Sequence, residues 1–179
     1  MRVVRSLKHF EPLPAANRAV QQARRGVPVI FDNDEVGDLE REALLEGLPL
    51  WRDARAGHLY VAANASWPGL YKLGCSRRLA VQTRVAELGG AGLPTPWHVV
   101  HSWQVYDAHG LEAQAKRACA QWHQRGEMFA VHHASLRSVV EHVIAKDRCL
   151  LEQHVGAGLA PGVLAELLGD ANSAVPQSQ

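Results

Sequence analysis

Three cysteines are too few and too scattered to staple a fold. Cys75, Cys119 and Cys149 are odd in number, far apart and without a CxxC pair. That excludes a disulfide framework and a zinc ribbon, and it fits a reducing compartment. No apolar run is long enough to cross a bilayer, which argues against a membrane-spanning protein. A basic-then-apolar leader is also missing, because Lys8, His9 and Glu11 interrupt the first residues, and a cytoplasmic location is expected. Nor is there an excess of one charge: 19 Lys and Arg stand against 18 Asp and Glu, for a formal net charge of +1. Any nucleic-acid role must therefore rest on a local patch. There is no internal repeat.

What remains is an ordinary globular composition, 47% hydrophobic and 21% charged over 179 residues. That is enough for one domain with a sizeable core, or a small domain with extensions. The expected division is a helical extension over residues 1–50, a main domain over 51–155, and a short helix with a frayed tail over 156–179. In the extension, Ala15–Arg25 reads as a helix closed by Gly26. Val27–Phe31 reads as a short edge strand. The acidic stretch Asp32, Asp34, Glu35, Asp38, Glu40 and Glu42 reads as the solvated face of a second helix, in preference to a metal site or phosphate mimic. Pro49 and Gly57 bracket the boundary that follows.

The main domain is α+β. Gly57–Ala63 and Gly69–Gly74 read as a hairpin with a wide connection. Ala80–Leu88 is a short helix, and Trp97–Tyr106 a third strand. Asp107–Gly110 is a turn, Leu111–His123 an amphipathic helix, and Met128–Val131 a brief extended piece. Ser135 caps a long helix reaching about Gln153, and Pro161 opens a last one through Leu168. The expected sheet has three antiparallel strands flanked by helices.

Alternation along the hairpin carries the chemistry. A register that buries Leu59, Val61, Tyr71 and Leu73 puts Tyr60 and Lys72 together on the other face. An ammonium beside a tyrosine pulls its pKa below about 10, toward use as a general base. Arg84 flanks the apolar stripe Val81, Val85 and Leu88, so it lies over the sheet. Glu112 borders the stripe of the later helix, where a carboxylate suits a divalent cation completed by water and phosphate oxygens. Tyrosine, lysine, arginine and one carboxylate make a phosphodiesterase kit. Arg77 and Arg78 are candidates to grip phosphate. Cys75, near these arginines, is a candidate low-pKa thiol, with a plain loop residue the commoner reading. His98 and His101 are expected on opposite faces of their strand, and with the adjacent pair His132 and His133 they do not make a zinc site. His123 shares a helix flank with Glu112 and Lys116.

Gly-x-Leu-Tyr-Val at 57–61, Pro-Gly-Leu-Tyr-Lys-Leu-Gly at 68–74 and Arg84 resemble the GIY-YIG nuclease superfamily. The similarity is greatest to the phage-type branch, whose second motif reads Lys-Ile-Gly. It continues through Gly92–Trp97, Gly110-Leu111-Glu112 and Gly126-Glu127-Met128-Phe129, spanning roughly residues 57–145. The resemblance implies a metal-dependent endonuclease, a hydrolase of DNA phosphodiester bonds using Mg2+ or Mn2+. Tyr60 then matches the motif tyrosine and proposed base, and Lys72 the second motif position. Arg84 matches the phosphate-binding arginine and Glu112 the metal ligand. Two positions depart from the pattern: Cys75 stands where Lys or Arg is frequent, and Lys116 where a histidine is common. Lys116 joins Arg77 and Arg78 as a candidate nucleic-acid contact. The alternative, motivated by the Cys75 departure and the near-neutral charge, is an inactive GIY-YIG fold that binds nucleic acid or protein.

Overall fold

The computed structural model describes residues 10–78, 80–89 and 95–169. Expectations that touch residues 1–9, 79, 90–94 and 170–179, including the Gly92–Pro94 part of the resemblance and the frayed tail, lie outside them. The described chain groups into two compact units. One holds residues 10–54 and 146–169, the other residues 55–145.

The first unit is helical. Helix α1 (Pro12–Arg24) starts earlier than expected, with Pro12 in its first turn, where the missing N–H costs nothing. Residues 27–31 form no strand. This corrects the edge-strand expectation: the Val29 N–H donates to the His154 carbonyl at 2.8 Å, but a bond to a helix end does not make a ladder. Helix α2 (Glu35–Arg55) runs straight through Pro49. The proline removes the bond to the Leu45 carbonyl, and Leu45 lies on the exposed side of the helix, where water can take the freed carbonyl. The Asp34 carboxylate accepts from the Gly37 N–H at 2.8 Å and caps the helix. Asp38 pairs with Arg41 in solvent. Asp147, 1% exposed, is held by both Nε and Nη2 of Arg24 at 2.9 Å. Helix α6 (Val163–Leu168) completes the unit.

The second unit is built on an antiparallel sheet of β1 (Gly57–Asn64), β2 (Leu70–Ser76), β3 (Trp97–Val105), β4 (His123–Arg125) and β5 (Met128–Ala130), in the order β3-β1-β2-β5-β4. Five strands replace the three expected. The added pair is a hairpin of two three-residue strands: Met128–Ala130 lies in the expected extended piece, and His123–Arg125 takes the place of the end of the expected helix. Gly126, at φ 58°, makes the turn between its strands. The β1–β2 register pairs Val61 with Leu73 and Ala62 with Lys72, which puts Tyr60 and Lys72 on one face as expected. Leu59, Val61 and Leu73 are fully buried on the other.

A bulge between Val61 and Ala62 shifts the β1–β3 pairing. It pairs Val61 with His101 and Ala63 with His98, so the two histidines share a face. This corrects their expected opposition, which assumed strict alternation. The His101 Nε2 lies 3.1 Å from His133 Nδ1, and the two rings are tilted by 39° with centroids 5.3 Å apart.

Helix α3 (Val81–Ala86) covers the Tyr60 face through Val81 and Val85, in a cluster with Tyr60, Ala62 and Trp97. Trp97 is therefore core; the exposed tryptophan is Trp67, edge-on to it at 5.6 Å. Helix α4 (Ala108–Ala118) packs on β1 and β2. It starts three residues early because the buried Asp107 carboxylate accepts from the Gly110 N–H at 3.1 Å, turning the expected turn into a first helical turn. It also ends early, so His123 opens β4, bonds the Gly126 carbonyl at 2.9 Å and leaves the Glu112 flank. Helix α5 (His133–His154) begins two residues before Ser135.

Buried Asn64 clips the hairpin loop. Its Nδ2 donates to the Thr95 carbonyl at 2.7 Å, and its Oδ1 accepts the Ser66 N–H at 2.8 Å and the Thr95 hydroxyl. Asn64→Ala strands these groups and is expected to cost about 2 kcal/mol, read as a lower urea midpoint. An unchanged midpoint shows that the clip carries no stability. Among the described residues no helix is long and apolar enough to cross a membrane.

Candidate active site

Five segments of the second unit deliver the candidate side chains. β1 supplies Tyr60, β2 supplies Lys72, Gly74 and Cys75, and α3 supplies Arg84. His109, Glu112 and Lys116 come from α4, and Glu127 from the β4–β5 turn. β5 pairs with Leu70, Tyr71 and Lys72, and α4 approaches β2 beyond that point. A β-carbon built on Gly74 would lie 2.6 Å from the Tyr60 hydroxyl and 2.7 Å from its Cζ. The phenol therefore lies across the glycine opposite it, and only glycine leaves room.

Glu127 holds the centre. One oxygen takes the Lys72 ammonium, the other the Lys116 ammonium at 2.6 Å. Lys116 reaches Glu112 Oε1 at 2.9 Å, one turn along α4. Glu112 Oε2 accepts from the Cys75 thiol at 3.1 Å, and that sulfur lies 3.2 Å from His109 Nδ1. A continuous chain thus runs from Lys72 through Glu127, Lys116, Glu112 and Cys75 to His109.

This chain reverses two expectations. Burial first, and the Glu127 charge second, push the Tyr60 phenol up to about 12; Arg84 pulls it down but does not win. The expected lowering fails first because the phenol is buried; the Lys72 ammonium that was to lower it is paired with Glu127. Burial and then the hydrogen bond to Glu112 push the Cys75 thiol up to about 12, so it is not a low-pKa thiol. At Glu127 burial works upward, but the bonds from Lys116 and Lys72 outweigh it and the carboxyl lies below its usual value. Burial lowers Lys116, and Glu127 and Glu112 more than restore it, leaving it raised.

Arg84 lies on the Tyr60 side, close enough for its field to reach the phenol, with its guanidinium 3.4 Å from Glu87. Arg78 also pairs with Glu87, and both Arg77 and Arg78 are exposed. Tyr60, Arg84 and Glu112 thus act on one locus, joined to Lys72 through Glu127; Arg77 and Arg78 lie at its margin; Lys116 is internal to the ion-pair chain. Two members had no assigned role in the sequence. Glu127 stood inside a quoted motif, and His109 is three residues before Glu112 on what proved to be the same helix.

Residues 57–144 match the T5orf172 domain. The matched stretch begins at β1 and ends within α5, and it contains every residue of the chain from Lys72 to His109. No curated protein and no solved structure matched the sequence.

A divalent cation at Glu112 has one carboxylate to bind, which suffices for Mg2+ completed by water and phosphate oxygens. Lys116 need not be stranded, since it retains Glu127 when it leaves Glu112. The donor set accommodates the ion.

Proposed function

We propose that residues 57–144 form a metal-dependent endonuclease site of the GIY-YIG type, hydrolysing phosphodiester bonds of DNA. The T5orf172 domain is a phage-associated domain of the endonuclease type, which suggests a DNA-acting nuclease function. The observation that carries the finer reading is the convergence of a phenol, an arginine and a half-buried carboxylate beside an ion-paired lysine. Glu112 holds Mg2+ or Mn2+, and Arg84 faces the phosphate. When bound, the cation supplies positive charge to the phosphate oxygens and to the negative charge that develops during attack by water. Tyr60, once its proton has gone to solvent, takes a proton from that water. Lys72 turns from Glu127 to the phosphate backbone as DNA enters, while Lys116 stays on Glu127.

The test is cleavage of single- and double-stranded DNA with and without Mg2+ or Mn2+. Metal-dependent, chelator-sensitive cutting supports the reading; chelator-insensitive cutting removes it. Because the phenol is raised to about 12, the cleavage rate is expected to climb with pH above neutrality, with Tyr60→Phe removing the slope. The same shift has a stability counterpart. Tyr60 favours folding fully below pH 10.0, its ordinary value, and this contribution is lost as pH rises toward about 12.

A second reading is an inactive module that binds nucleic acid or protein. It is favoured by the neutral phenol and by ammoniums already held by Glu127. DNA binding without metal-dependent cutting selects it. Under either DNA-binding reading, Glu127→Gln frees Lys72 while Lys116 keeps Glu112 at 2.9 Å, and the slope of log affinity against log salt is expected to steepen by about 0.9 for the ammonium that gains a phosphate.

A further inference from the structure

Cys75, His109 and Glu112 present a sulfur, an imidazole nitrogen and a carboxylate oxygen within 4.8 Å of one another. The edges of this triangle are 3.2 Å from sulfur to nitrogen, 3.1 Å from sulfur to oxygen and 3.9 Å from nitrogen to oxygen. Tetrahedral Zn2+, with bonds of about 2.3 Å to sulfur and about 2.0–2.2 Å to nitrogen and oxygen, needs ligand edges of about 3.4–3.6 Å. Each edge therefore changes by roughly half an ångström or less to seat the ion.

The supports for such a site are in place. Cys75 sits on a strand, and His109 and Glu112 lie three residues apart on one helix, on the same side. Lys116 holds Glu112 Oε1 at 2.9 Å and leaves Oε2 toward the thiol and the imidazole, which orients the carboxylate as an outer partner does. The His109 side chain is 70% exposed, giving an ion a way in and the ring freedom to adjust. Three protein ligands leave a fourth position open. Thiol and imidazole are poor ligands for Mg2+, which takes oxygen, and good ones for Zn2+.

We propose that Cys75, His109 and Glu112 form a binding site for a thiophilic divalent transition metal, Zn2+ foremost, and that its occupancy withdraws Glu112 from the cation used in cleavage. Binding forms three metal–ligand bonds, and the proton of the Cys75 thiol passes to solvent. The binding half stands on these three side chains alone. The inhibitory half rests on the nuclease reading of Glu112.

The experiment titrates the full chain with Co2+ as a spectroscopic substitute and then displaces it with Zn2+. One equivalent of Co2+ is expected to give a thiolate-to-metal charge-transfer band and the strong visible bands of tetrahedral coordination. Cys75→Ser should abolish the charge-transfer band, and His109→Ala, at an exposed position that leaves the core intact, should weaken Zn2+ binding at least about tenfold. Cys149→Ser, at the exposed cysteine, should change neither. A band that persists in Cys75→Ser, or Zn2+ affinity unchanged in both Cys75→Ser and His109→Ala, overturns the site. In the cleavage assay, Zn2+ added at fixed Mg2+ is expected to inhibit, with His109→Ala requiring at least about tenfold more Zn2+. Metal binding without any Mg2+-dependent cutting defeats the nuclease reading and leaves the site; cutting with no Zn2+ inhibition defeats the coupling alone.

Discussion

Glu112→Gln is expected to lower Mg2+-dependent DNA cleavage by about a thousandfold, equivalent to about 4 kcal/mol of lost transition-state stabilisation. The amide keeps the size and most of the hydrogen bonding of the carboxylate but has no charge for a cation. Lys116 retains Glu127 at 2.6 Å, so the substitution does not strand an ammonium, and the thermal midpoint should move little. Initial rates across a Mg2+ titration separate two causes: a weakened ligand is partly rescued by excess metal, a misfolded site is not. Cleavage within a fewfold of the parent protein at saturating Mg2+ would exclude Glu112 as the metal ligand.

Gly74→Ala should be nearly as damaging, although it adds a single methyl group. The new Cβ meets the Tyr60 hydroxyl at 2.6 Å and Cζ at 2.7 Å. Tyr60 is 2% exposed and packed among Val81, Val85, Trp97 and Ala62. Its ring is rigid and has no open space to swing into. Overpacking of this kind costs about 1–3 kcal/mol, which a urea titration reads. Displacing the phenol by about an ångström is expected to reduce cleavage by about a hundredfold. Pairing the substitution with Tyr60→Phe checks the cause: removing the hydroxyl relieves part of the clash, so stability should partly recover while activity does not. An additive stability loss in the double variant would show that Gly74 acts through some other contact.

The Gly74 expectation depends on a face that local pattern made legible. Alternation in Leu59-Tyr60-Val61 and Tyr71-Lys72-Leu73 was enough to place Tyr60 with Lys72, and the pairing of Val61 with Leu73 has that register. The apolar spacing of Val81, Val85 and Leu88 was enough to lay the Arg84 helix on the same side. The stripe at Leu111 and Ala115 left Glu112 at its border. What failed was charge. The sequence places Lys72 beside Tyr60 but does not say that Glu127, 55 positions later, will take its ammonium. Burial first, and the Glu127 charge second, move the phenol up where the local reading moved it down.

Periodicity is a property of neighbours along the chain, so by itself the sequence determined the α+β class, the central hairpin, the main helices and the face shared by Tyr60 and Lys72. Only the tertiary structure decided three things. It paired the short extended piece at Met128–Ala130 with β2 and with His123–Arg125, because three-residue strands have too little alternation to name their partners. It put His98 and His101 on one face, because a bulge interrupts the count. And it joined Lys72, Glu127, Lys116, Glu112, Cys75 and His109 into one chain of contacts, because ion pairs and ligand triangles form between segments brought together by packing. Their energies depend on distance and burial, which no spacing along the sequence records.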